Sequence, residues 1–375
     1  MPSLEPSGRV AIAFAQYGPY HHARAAALQA ALPGRVVPVQ IAGETSTYAW
    51  ETGSAPLCEG LQTLRAGTSE QAKPLPVFLA ARRFFQREKI RAVFLPSYAP
   101  AAEFALFLAA KSLGLYTVMM NESHAGTERA KGLAKFVKRL IVKQFDAGLV
   151  GGTPQKRHFA NLGIPADRLF TGYDAIDNAY FTAASDAARA EEPAVRAKLQ
   201  LPDRYFLSLG RLVEKKNLET LLRAYALFRE SSAEPVDLVI VGSGPLEEEL
   251  RGKAGAGVKF HGFRQISENP AFYAFAEAFI LPSLWEEWGL VVNEAMACGI
   301  PVLVSNTVGS AEDLVEPGAN GWTFNPGSPE ELSRHLAALA ADPALRARLG
   351  ARSREIVANW DCANFARQAL KALRL

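Results

Sequence analysis

Short apolar runs alternate with helix-length amphipathic segments along this whole chain, and that alternation constrains its fold more than any other feature. In the first half the strand-like runs are residues 10–15, 36–40, 92–95, 116–120 and 147–150. In the second half they are 205–209, 238–241, 259–261, 279–281 and 302–304. Most are continuous Val, Ile, Leu and Phe rather than apolar–polar alternation, the pattern of strands covered on both faces. Between them lie helical stripes such as residues 101–113. Another is 218–229, with Leu218, Leu221, Leu222 and Tyr225 on one face. Strand and helix in regular alternation imply βαβ units and parallel sheets. A chain of 375 residues exceeds one ordinary core and suits two doubly wound α/β domains. In such sheets ligands sit beyond the carboxyl ends of the strands, so the expected site is a cleft between the domains. The Ala-rich, charged stretch 177–203, with Pro193 and Pro202, reads as a linker with a short helix.

Composition removes several classes of function. Apolar residues make up 49% and charged residues 21%, a globular balance. A net charge of +3 gives no strongly basic face for nucleic acid. Cys58, Cys298 and Cys362 are odd in number and widely spaced, which argues against a disulfide framework or structural zinc and for a reducing, cytoplasmic setting. The N-terminal MPSLEPSGRV lacks the apolar core of a leader. The longest apolar stretch, 99–115, is interrupted by Glu103 and Lys111 and falls short of a membrane span.

Three constellations carry chemistry. In the first, Gly210-Arg211-Leu212-Val213-Glu214-Lys215-Lys216-Asn217 follows a strand, with Asn217 as a candidate N-cap. Arg211 and Lys216, beside the positive end of a helix, suit a diphosphate, although a solvated basic loop gives the same pattern. In the second, Gly242-Ser243-Gly244-Pro245 forms a βα turn that lets backbone approach a ligand. Glu247 stands where a dinucleotide fingerprint requires its third glycine. In the third, a buried strand leads through Pro282-Ser283-Leu284-Trp285-Glu286-Glu287-Trp288-Gly289-Leu290 into a helix that Gly299 and Pro301 end. Glu286 lies in the loop and Glu294 on the helix, where its carboxylate can accept two ribose hydroxyls. The N–H groups of Gly289 and Leu290 suit a phosphate.

Taken with His261-Gly262-Phe263, Glu294-Ala295-Met296-Ala297, Val308-Gly309-Ser310 and Asn320-Gly321-Trp322, these motifs resemble glycosyltransferase family 4, whose bacterial members build cell-envelope polysaccharides and exopolysaccharides. The resemblance is dense over residues 205–336. It implies the GT-B fold, two Rossmann-like doubly wound domains facing across a cleft. The expected domains are 1–178 on the acceptor side, 179–356 for the nucleotide sugar, and a final helix, 357–375, crossing back. It further implies a hexosyltransferase that moves a sugar, with retention, from a UDP- or GDP-sugar to a hydroxyl of a glycan, lipid-linked or small-molecule acceptor.

By that resemblance Arg211 and Lys216 stabilise the donor diphosphate, Glu286 contacts the sugar, and Glu294 holds the ribose. Gly244, Trp288, Gly289 and Leu290 border the donor, and backbone near Phe263 and Arg264 takes the base. Asn217, where the family favours glycine, and Ser310, in place of a second glycine, depart from the pattern. No Asp-x-Asp occurs, so no metal or other cofactor is expected. In the first half, Gln16-Tyr17-Gly18-Pro19-Tyr20-His21-His22 replaces the usual glycine-rich loop. Gly18 is expected to line the cleft, with His21 or His22 near the acceptor. A surface loop fits that stretch as well. His124, with Glu122 behind it, is the candidate histidine for the donor sugar.

Residues 131–143, with Lys131, Lys135, Lys138, Arg139 and Lys143, form a basic amphipathic segment. Either its apolar stripe enters the core, or it lies on an anionic membrane at the cytoplasmic face. Alternatives to transfer are a nucleotide-sugar epimerase of the same fold, an NAD-dependent dehydrogenase and a non-catalytic nucleotide-sugar-binding protein. The Glu286–Glu294 motif favours transfer over epimerisation, the broken fingerprint opposes NAD, and the retained acidic and basic positions oppose a non-catalytic module.

Overall fold

The structure is a computed structural model that describes residues 8–44, 57–96, 98–232 and 236–375. Residues 1–7, which open the sequence read above for a leader, lie outside the described residues. Two compact units emerge. One is Met1–Ile176 with Asp361–Leu375, the other Asp177–Trp360.

The first unit has a seven-stranded sheet: β1 Arg9–Phe14, β2 Val36–Glu44, β3 Gln62–Thr68, β4 Ile90–Leu95, β5 Tyr116–Asn121, β6 Ala147–Val150 and β7 Leu169–Thr171. Its order is β3-β2-β1-β4-β5-β6-β7, and every pairing is parallel. Ile12 pairs with Pro38 on one side and Phe94 on the other. Successive strand residues point to opposite faces. Ala11, Val93 and Leu95 therefore pack with Phe84, Phe85 and Leu106. Val10, Ile12 and Phe94 pack on the other face with Leu28 and Phe365. Phe365 belongs to the last helix, Cys362–Leu373, which joins this unit and accepts a hydrogen bond from Tyr116 Oη at the Ala372 carbonyl, 3.1 Å.

The second unit has six parallel strands: β8 Tyr205–Leu209, β9 Asp237–Val241, β10 Val258–Phe260, β11 Ala278–Leu281, β12 Val302–Ser305 and β13 Gly321–Phe324, in the order β10-β9-β8-β11-β12-β13. Phe206, Leu238 and Ile280 meet Leu221, Phe228 and Leu336 in one apolar layer. In both sheets the strand order reverses once, between β1 and β4 and between β8 and β11. The loops leaving such neighbours diverge and open a crevice.

Three strands escaped the sequence reading. β3 is a largely exposed edge strand of polar composition, β7 has three residues, and β13 begins with glycine. The stretch read as a linker is instead two helices, Asn178–Ala190 and Glu192–Leu199, within the second unit. Its alanine and charge are helix-forming composition. Asp177 caps the first helix at Tyr180 N, Phe181 is buried, and Arg189 donates to the carbonyls of Ala274 and Cys298.

Candidate functional site

The crevice of the second unit is bordered by the loop after β8 and the loop after β11. Both loops are held by backbone. Leu284 N donates to Lys215 O at 2.8 Å, and Gly309 N donates to Glu286 O at 3.0 Å. Asn217 adopts φ 54°, in the left-handed region that glycine and asparagine tolerate best. That conformation explains the exchange of the family's glycine for asparagine. The side chain does not cap the helix Leu218–Ser231 as expected. Its amide donates instead to the carbonyls of Pro282 (3.0 Å) and Pro326 (2.9 Å), linking three loops.

This scaffold brings Glu286 against two cations. Lys215 Nζ lies 2.8 Å from Glu286 Oε1, and Lys216 Nζ is ion-paired with Oε2. Lys215 also reaches Glu287 at 3.3 Å. Glu286 is buried, 8% exposed, and burial alone would raise its pKa. Lys216 and Lys215 outweigh that and hold the carboxyl below its ordinary range. Lys215 moves the other way, since Glu286 more than offsets the desolvation that would lower it. The motif gave Lys216 a role and passed over Lys215, although an adjacent lysine in the same loop was the available signal. Arg211 is exposed and lines a pocket with Lys216, Gly210, Leu281 and Pro282. No described residue forms an ion pair with it.

Helix Leu290–Ala297 starts at the same place. Gly289 has φ 93°, so a side chain there would be strained and would also meet Leu281 at 2.9 Å. The first N–H groups of a helix have no acceptor within it, which leaves a donor-rich, partly positive terminus beside Glu286.

The structure describes four other expected positions. Trp288 does not border the crevice: its side chain is fully buried, donates to Asn293 Oδ1 at 2.9 Å and packs on Trp360 at 5.1 Å. Gly244 is explained by packing between loops, because a Cβ there would lie 2.4 Å from the Leu212 carbonyl oxygen. Gly242 is likewise pressed against Gly210. Glu294 is on its helix but fully buried, with Tyr273 Oη donating to Oε2 at 3.0 Å and Asn269 Nδ2 at 3.5 Å. Its carboxylate is not an open acceptor here. Phe263 is 45% exposed, and Arg264 pairs with Glu268 at 3.3 Å.

In the first unit the candidate residues mostly serve their own loops. Gly18 has φ −104°, an ordinary extended value, and is buried at the start of helix Pro19–Ala31. Its N–H donates to His21 Nδ1 at 3.0 Å. His21 stacks on Phe14 at 4.1 Å. Burial, then Arg24 and His22, lower its pKa to about 3, so it is a neutral cap. His22 is buried with Nδ1 3.3 Å from Cys58 Sγ. His124 is 8% exposed at the end of β5. Its Nδ1 accepts from Gly126 N at 3.2 Å. Arg24 escaped the sequence reading. It is 2% exposed, donates to the Ala175 carbonyl at 2.9 Å and lies over the Tyr173 ring. No local motif announces it.

With this geometry in place, comparison with known proteins is decisive for the second unit. Residues 191–356 match the family model described as glycosyl transferases group 1. This segment is therefore similar to the group 1 glycosyl transferases. The O-antigen chain mannosyltransferase B of Escherichia coli is 29% identical over 221 residues, 57% of this chain and 56% of that protein. A GDP-mannose-dependent alpha-(1-6)-phosphatidylinositol monomannoside mannosyltransferase of Mycobacterium tuberculosis is 31% identical over 242 residues, 61% of each chain. The chain thus spans little more than half the length of the first relative. The structure of Anabaena HepE in complex with UDP-glucose superposes with a TM-score of 0.75 at 18% identity, covering 98% of this chain and 99% of that one. The whole chain therefore has the GT-B fold. The matched segment contains Arg211, Lys215, Lys216, Glu286 and the helix beginning at Leu290. The candidate histidines lie outside the matched segment. Among the described residues no group of three or more His, Cys, Asp or Glu could hold a metal ion.

Proposed function

We propose that this chain is a hexosyltransferase that moves a sugar, with retention and without a metal, from a UDP- or GDP-sugar to a hydroxyl acceptor. The observation that carries the reading is the Glu286 carboxylate held by Lys215 and Lys216 beside the start of helix Leu290–Ala297. In transfer, the bond between the anomeric carbon and the diphosphate oxygen breaks, and the electron pair stays on the diphosphate. The acceptor oxygen bonds to the anomeric carbon on the same face and releases its proton. Negative charge therefore grows on the leaving diphosphate. Fixed cations and helix N–H groups aimed there stabilise the transition state without reorganising. Arg211, Lys216 and the N–H groups at Gly289 and Leu290 take that part, which leaves no electrostatic need for a divalent ion. Glu286 faces the sugar as an ionised hydrogen-bond acceptor that Lys215 keeps in place. Glu294 accepts the ribose if a ribose hydroxyl replaces that of Tyr273. The resemblance assigns His124 a contact with the donor sugar. The relatives and the HepE complex, whose names include mannose, GDP-mannose and UDP-glucose, support a hexose on UDP or GDP.

The test is incubation with a panel of UDP- and GDP-sugars, following released UDP or GDP. Slow hydrolysis of at least one donor, undiminished by a chelator, is the expected result. Activity lost to the chelator and restored by magnesium would remove the metal-independent part. Binding of NAD with no binding of UDP or GDP would overturn the whole reading.

A further inference from the structure

Helix Gly132–Val142 presents its apolar stripe to solvent rather than to the core. Leu133 is 77% exposed, Phe136 58%, Val137 46% and Leu140 48%, while Val142 is buried. The spacing i, i+3, i+4, i+7 puts these four side chains on one face. Such a contiguous apolar row on a helix surface marks an interaction site. The charge around it has one sign. Arg129, Lys131, Lys135, Lys138, Arg139 and Lys143 are cationic, and no acidic residue occurs between 129 and 143. Lys138 is taken up by Glu128 at 2.7 Å, and the other five have no partner among the described residues.

We infer that this helix docks on an anionic lipid surface, lying in its plane. An amphipathic helix with an apolar face and long cationic side chains buries that face about 5–10 Å into the headgroup boundary while its cations remain at the phosphates. Anionic headgroups attract such cations within a Debye length, and bound lysines and arginines add up. The helix of 11 residues spans roughly 16 Å, enough to seat all four apolar side chains at once. A second copy of this chain fits less well, because it would bring two cationic rims together. The placement bears on function. The helix follows β5 and His124, and Lys138, Glu128 and His158 connect its base to that region: His158 Nε2 is 3.6 Å from Glu128 Oε2. Docking here would set the strand ends of the first unit at the membrane surface, where an amphiphilic hydroxyl acceptor resides.

Flotation of the full chain with phosphatidylcholine vesicles, with and without phosphatidylglycerol, tests this. Binding is expected only to the anionic vesicles and should weaken as salt rises. Phe136→Glu with Leu140→Glu should reduce it by about tenfold or more, since two charges replace the inserted side chains. Lys135→Glu with Arg139→Glu should do the same through the headgroups. All four side chains are exposed, so both variants should keep the wild-type circular dichroism and melting temperature. Absence of binding to anionic vesicles overturns the inference, as does undiminished binding by either variant. Wild-type dimerisation that Phe136→Glu with Leu140→Glu abolishes, without vesicle binding, would assign the face to a second copy. Lys216→Ala should float like the wild type, so loss of transfer and loss of docking remain distinguishable.

Discussion

The two units share an architecture but use the ends of their strands differently. In the second, the loops after β8 and β11 direct charged side chains at one another, and Glu286 meets Lys215 and Lys216. In the first, the loop after β1 turns inward: His21 caps Gly18, and His22 is buried against Cys58. The same crevice geometry thus yields a preassembled charge cluster in one sheet and self-capped loops in the other. On the proposed reading this difference has a reason: a donor diphosphate demands fixed charge, which is best built before the ligand arrives. At the end of β5, His124 is likewise engaged in its own loop, its Nδ1 accepting from Gly126 N.

That contrast can be broken at its strongest point by Lys216→Ala. Turnover of the donor should fall by about 10²–10³-fold, the usual cost of losing one group aimed at developing charge. Thermal melting should change little, because Lys216 is not part of an apolar core. Near-wild-type turnover with every donor would end the assignment. Lys215→Ala should cost less, about tenfold, because it acts through Glu286 rather than on the diphosphate. Its signature is in the pH profile. Lys215 helps hold the Glu286 carboxyl below its ordinary range, so its removal lets that carboxyl protonate at higher pH. The acid limb of activity should then move upward. An unmoved limb would show that Lys216 alone sets the charge state.

The third test asks whether His124 is more than a cap. Asparagine at this position can still accept from Gly126 N. His124→Asn should therefore keep stability while lowering donor turnover by about fivefold, comparable to one neutral hydrogen bond. Unchanged kinetics would leave the first unit without a donor-side group. The smallest effect belongs to His21. Burial lowers its pKa from 6.5 to about 3, so in the folded state it stays neutral across that interval while the unfolded chain takes up a proton. The unfolded state binds more protons there, and stability must fall as pH drops from 6.5 toward 3. His158, lowered to about 4 first by burial, acts in the same direction. His21→Asn should flatten the slope by on the order of 1 kcal/mol per pH unit in urea unfolding across that range. An identical slope in the variant would show that His21 is not held neutral.

Much of this was legible in the chain, and the failures share a cause. Ten strands could be read because buried parallel strands are continuous apolar runs, whereas β3 is polar and β7 and β13 are short. The stretch from Asp177 was read as a linker with one short helix, because its alanine and charge lack an apolar run, and it forms two helices. At the site, residue type and order placed Arg211, Lys216, Glu286 and Gly289 correctly at strand ends. The surroundings of Trp288 and Gly244 were not legible because a motif records neighbours in sequence, and both pack on neighbours in space: Trp360 for one, the Leu212 carbonyl for the other.

The sequence by itself determined the parallel α/β architecture, the position of the donor-side loops and the basic character of helix Gly132–Val142, since each depends on local periodicity or composition. Only the tertiary structure decided which face of that helix meets solvent, that Lys215 shares Glu286 with Lys216, and that Glu294 is covered by Tyr273. The two pairings at the site join side chains 21 and 71 residues apart in the chain. Burial and pairing at such separations are properties of the assembled fold rather than of any window of sequence.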